Sequence, residues 1–247
     1  MAKRAGQPRS LLVLVVVSLC TLGTLTTVSF LSPHVQDGVA WRQPLTGSLF
    51  SLLCILGMVA VFFPQHCARR SSVHPDSQHE TSLQRQDIFE ATSSVAGITM
   101  THGHHPTCER YRQHEFRLGK KTLCSACLGL FIGALISLAA ACYVFLLQHQ
   151  FDLPFRLASA VGALGVMVGI VSYAVTDAQG PARRFSVNAF MIVGMLIVLI
   201  GADSSSQSLV LNVLLIGSCM LALFTRILLS QDRHEQICRT CEQACVA

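Results

Sequence analysis

The chain has 247 residues, of which 13% are charged and 51% hydrophobic, and its mean hydropathy is +0.52. A soluble domain carries about 25% charged residues, so this composition excludes an ordinary water-soluble globular class. The net charge of +5 comes from Lys and Arg placed almost wholly between apolar runs, which argues for membrane orientation rather than nucleic-acid binding.

Six apolar runs follow one another at roughly 11–31, 45–63, 126–147, 157–175, 187–202 and 208–228. Most meet the roughly 17–25 residues needed to cross about 30 Å of hydrocarbon. They predict an all-α polytopic bundle of six transmembrane helices. The fifth run is the shortest and uses Ser186 and Asp203 as its ends. The first follows Lys3, Arg4 and Arg9 and is read as a retained signal anchor, with a cleaved signal peptide as the alternative. Four regions result: a two-span hairpin (1–64), a polar linker (65–101), a Cys/His motif with four spans (102–230) and a Cys-rich tail (231–247).

With the amino terminus taken as cytoplasmic, all of the 18 Lys and Arg residues except Arg42 and Arg156 fall on the inner side. The positive-inside rule then predicts a multi-pass cell-membrane protein with both termini cytoplasmic. Cys20, Cys54, Cys142 and Cys219 lie within spans and read as small packing residues. Cys67, Cys108, Cys124, Cys127, Cys238, Cys241 and Cys245 lie outside the spans or at their ends, on the reducing side. Structural disulfides are disfavoured there, which leaves metal binding, reversible thiol chemistry or lipidation.

The linker from Gln65 to Gln86 is polar, and its His74 and His79 read as solvated. The following stretch, 87–100, has Ile88, Phe89, Val95 and Ile98 among polar residues and predicts a short helix along the membrane surface. Then comes the densest chemical feature, HGHHPTCERYRQHEFRLGKKTLCSAC from His102 to Cys127. The two residues between Cys124 and Cys127 let both sulfurs address one ion. Cys108 supplies a third thiolate, and His104, His105 or His114 a fourth donor, with His105 preferred. Three thiolates and one imidazole match a tetrahedral Zn²⁺ site. Arg110, Arg117, Lys120 and Lys121 favour thiolate over thiol, or serve simply as inner-side anchors. Glu109 and Glu115 are the nearest acids, but no HExxH-type pattern assigns either a catalytic role.

Cys108 followed by CSACLGLFIG, with Cys124, Cys127, Gly129 and Gly133, resembles a family of multi-pass membrane proteins of bacteria and archaea, a domain of unknown function. Its mark is a loop cysteine and then C-x-x-C-x-G-x-x-x-G opening a helix. The HHPTC form at His104–Cys108 is similar to the archaeal branch. The commoner bacterial form has His where this chain has Glu109, and Arg where it has Ser125. Asp177, Gln179, Arg184 and Asn188 also follow the family's order before the fifth span. The resemblance spans roughly residues 100–202 and implies a helical membrane domain but no activity, substrate or cofactor.

Asp177 at the end of the fourth span predicts an ion pair with Arg183 or Arg184, or a place near the metal or a solute path. Asn188 and Asn212 predict interhelical hydrogen bonds. No run has a central Asp, Glu, Lys or Arg, which disfavours an ion pump or proton-coupled carrier. Gly129 with Gly133, and Gly162, Gly165 and Gly169, predict close helix contacts. The tail CRTCEQAC offers a second metal set in Cys238, Cys241 and Cys245, with His234 or Cys67. Palmitoylation and unassigned tail cysteines are the other readings of these thiols. The sequence thus points to an integral membrane protein with a cytoplasmic zinc-bearing Cys/His site in a structural or interaction role. A protein partner or a second copy would be its counterpart beside the lipid bilayer. The alternatives are a transporter of a metal ion or small solute, and a membrane thiol-disulfide oxidoreductase.

Overall fold

Where Leu, Val, Ala and Ile run on without charge, only a helix or a closed barrel can satisfy every backbone hydrogen bond away from water. The computed structural model describes residues 9–31, 41–62, 92–95, 98–101, 115–118, 121–147, 154–175 and 180–239. Six helices there are long and apolar enough to cross a membrane. They are α1 (Arg9–Leu31), α2 (Arg42–Phe62), α3 (Ser125–Ala141, prolonged by a π turn over Cys142–Leu146), α4 (Phe155–Val175), α5 (Pro181–Ser206) and α6 (Leu209–Arg239). Valine-rich α1 would be a poor helix in water, yet lipid removes the competition from solvent for its amides.

All six expected runs are helices, and the last two run longer than read: the sixth, expected at 208–228, is Leu209–Arg239. The fifth, read as the shortest, belongs to a helix of 26 residues. Hydropathy stops at the first polar side chain, whereas the helix continues because those side chains are satisfied within the bundle. Ser205 and Ser206 bond back to the carbonyls of Gly201 and Ala202, and Asn188 bonds to Tyr173. Gly180 in extended geometry and Pro181 open the helix, a placement that suits proline's missing N–H. Gln207, at φ 51° and ψ 25°, closes it by donating its N–H to the Asp203 carbonyl.

The expected surface helix at 87–100 is also corrected where it is described. β1 (Thr92–Val95) pairs antiparallel with β2 (Ile98–Thr101), with Thr92 opposite Thr101 and Val95 opposite Ile98. Thr92, Val95, Ile98, Thr99 and Thr101 are β-branched, and this preference outweighs the weak helical spacing. A second pair, β3 (Glu115–Leu118) with β4 (Lys121–Cys124), leads straight into α3. The polar linker 65–86 lies outside the described residues.

The burial pattern is that of a protein in lipid. Leu12, Val13 and Val16 of α1, Leu52 and Leu56 of α2, Leu164 of α4 and Phe190 of α5 face outward. Ser18, Thr46, Ser137, Ser159 and Asn188 are inside. α5 is the central helix, packed most extensively on α4 and then on α3. These crossings are close because glycines meet backbone. A methyl group at Gly162 would lie 2.7 Å from both the Gly194 carbonyl oxygen and the Val198 nitrogen, and one at Gly133 2.9 Å from the Ala189 Cα. A methyl group at Gly129 would collide with the Phe185 carbonyl. The stripes on α3 and α4 are helix contacts, as their spacing predicts.

Candidate functional site

Antiparallel packing sorts the side chains to two ends. Ser18 of α1 bonds Thr225 of α6 at 2.7 Å, and Gly129 of α3 meets Phe185 of α5. The beginnings of α1, α3 and α5 therefore share an end with the later part of α6. Both strand pairs are there too, since β4 contacts β1 and β2 contacts α2. This is the cysteine-bearing end.

Cys124 ends strand β4 and is the N-cap of α3, with extended backbone at φ −65° and ψ 119°. Its side chain is buried, and Cys127 in the first helical turn is half-buried. The β3–β4 register sets Glu115 opposite Cys124. A strand-to-helix junction holding two thiols three residues apart is suited to presenting both to one ion. His104, His105, Cys108 and His114 lie outside the described residues, as do Asp177, Cys241 and Cys245. The backbone of α6 extends to Arg239 and includes Cys238. Among the described residues, no three His, Cys, Asp or Glu side chains gather as a metal-binding group.

Deeper at the same end lies a second constellation. Asn188 is fully buried, and its Nδ2 donates to Tyr173 Oη at 2.6 Å and to the Arg184 carbonyl at 2.6 Å. Arg226 on α6 is 5% exposed and donates from Nη2 to the same tyrosine oxygen at 3.2 Å. Its Cζ also sits 4.9 Å from the Tyr173 ring centroid, within cation–π range. Arg233 donates to the carbonyls of Tyr173 and Ala174, closing the last turn of α4. The expected interhelical role of Asn188 is seen directly. Tyr173 and Arg226 were not legible as a pair, because one reads as span filler and the other as an inner-side anchor.

The opposite end has its own buried network. Asp203 of α5 accepts from Asn212 Nδ2 at 2.6 Å, from Arg42 Nε at 3.5 Å and from Gln43 Nε2 at 3.5 Å. Asn212 also donates to Thr46 Oγ1 at 3.2 Å, tying α6 to α2. Asp203 reads in sequence as a helix-end charge, and the 160 or more residues separating it from Arg42 and Gln43 hide the partnership. Of the four cysteines expected as packing residues, Cys54 and Cys219 are buried, Cys142 is half-buried, and Cys20 faces outward.

An outward apolar belt over six long helices, with amides and charges turned inward, defines a multi-pass helical membrane protein. No protein-family model, curated protein or solved structure matches the chain.

Proposed function

We propose that this protein is a cell-membrane helix bundle whose cysteine-bearing end holds a structural Zn²⁺ and presents the metal-held loop to a partner. The observation that carries the reading is the strand-to-helix junction, with Cys124 closing β4 and Cys127 in the first turn of α3. In this reading Cys124, Cys127, Cys108 and one histidine, with His105 preferred and His104 and His114 as the other candidates, complete a closed tetrahedral shell. A closed shell suits structure, since catalytic zinc keeps a position open for water or substrate. Thiolate ligation couples metal binding to folding of the loop that precedes β3. Cys238, in the last turn of α6, would form a second set with Cys241 and Cys245.

The orientation belongs to the same proposal. With the cysteine-bearing end cytoplasmic, Arg183, Arg184, Arg226 and Arg233 lie inside and Arg42 outside, as the positive-inside rule requires. The resemblance to the C…CxxCxGxxxG family agrees with this placement of the motif at a helix entrance.

The test is the zinc content of detergent-purified full-length protein, prepared without chelator, for wild type and Cys124→Ser/Cys127→Ser. Wild type should hold about one zinc per chain through its loop site, and the double variant should lose it while remaining monodisperse. Wild type without metal overturns the reading.

A further inference from the structure

Arg226 is a guanidinium buried near the end of a membrane span, and among the described residues no carboxylate lies in salt-bridge range of it. Placing a cation there without compensation is costly, and buried cations in membranes are paired or functional. Three hydrogen-bonding capacities also remain unused around one hydroxyl. Arg226 Nε has no partner, and neither has Asn188 Oδ1. Tyr173 Oη accepts from both Asn188 and Arg226, which leaves its own proton to donate. The set therefore offers two donors and a positive charge, with one acceptor beside them. Water would meet the hydrogen bonds but not the charge.

The complement is an oxyanion that carries its own N–H or O–H. The guanidinium edge and the phenol would take the oxyanion, and Asn188 Oδ1 would accept from the ligand's donor. Depth selects among oxyanions. Arg226 lies 17 residues along α6 from Leu209, about 26 Å at the helical rise, so it approaches the far edge of about 30 Å of hydrocarbon, where lipid phosphates begin.

We propose that Arg226, Tyr173 and Asn188 form a binding site for a phosphate ester bearing a hydroxyl or ammonium group. Two sources share this chemistry: the headgroup of phosphatidylglycerol or phosphatidylethanolamine, and a soluble phosphate ester such as glycerol 3-phosphate. Phosphatidylcholine has the phosphate but no donor for Asn188.

Native mass spectrometry of the full-length protein, delipidated in detergent and offered these probes singly, tests the site. Phosphatidylglycerol or phosphatidylethanolamine should be retained about tenfold better than phosphatidylcholine, and Arg226→Gln should remove that preference. Asn188→Asp provides a second variant, because it places a carboxylate beside Arg226 in the existing volume. It should displace the phosphate, with the purified variant still monodisperse. Binding of glycerol 3-phosphate that depends on Arg226 assigns the site to soluble esters; binding of the lipids alone assigns it to headgroups. Both support the site. Binding of no probe, equal retention of phosphatidylcholine, or unchanged binding in both variants overturns it.

Discussion

Asp203 illustrates how one residue can organise an end of the bundle. Its carboxylate is nearly inaccessible and serves Asn212, Arg42 and Gln43 together. Removing it as Asp203→Ala leaves a half-buried guanidinium and a buried amide without their acceptor, a loss of about 2–4 kcal/mol. The check is thermal unfolding in detergent, where Asp203→Asn should lose less because it keeps an acceptor oxygen. Gln207 acts in the opposite direction. Its left-handed backbone is unfavourable for a side-chain-bearing residue, and Gln207→Gly should stabilise by about 0.5–1 kcal/mol, read as a higher midpoint in the same assay. An unchanged or lower midpoint would mean that the glutamine side chain makes a compensating contact.

The helices themselves were legible because lipid imposes a simple requirement, a long apolar run with internally satisfied amides. Gly129, Gly133 and Gly162 were legible as contacts because small residues at helical spacing let backbones approach. The far ends of α5 were not, since Arg183 and Ser205 look like loop residues until their helix is seen continuing through them. Nor were the partners of Asn188 and Asp203, because a span pattern places a residue on a helix without saying which helix lies opposite. The strand pair at Thr92–Thr101 is hidden for a further reason: a few apolar residues among polar ones fit either periodicity. At the scale of elements the firmest prediction concerns the α4–α5 crossing. Gly162→Ala should cost about 1–3 kcal/mol, because the new methyl group meets backbone that cannot yield. Gly57→Ala meets nothing within 4 Å and should shift stability by no more than about 0.5 kcal/mol. Equal effects in the two variants would contradict the close crossing.

Taken whole, the molecule is apolar outside and encloses two buried polar networks within an apolar core, one at an aspartate end and one at a cysteine end. Reporter fusions at either terminus should be accessible only from the cytoplasm, and a reporter between α1 and α2 only from outside. The reverse result would put the thiols in an oxidising compartment and favour disulfides over metal. The central proposal is the zinc site, and zinc K-edge X-ray absorption on the purified protein tests it most directly. It predicts three sulfur scatterers at about 2.3 Å and one nitrogen at about 2.0–2.1 Å, lost in Cys124→Ser/Cys127→Ser. A shell of light atoms alone, or a sulfur shell that survives the double substitution, would contradict it.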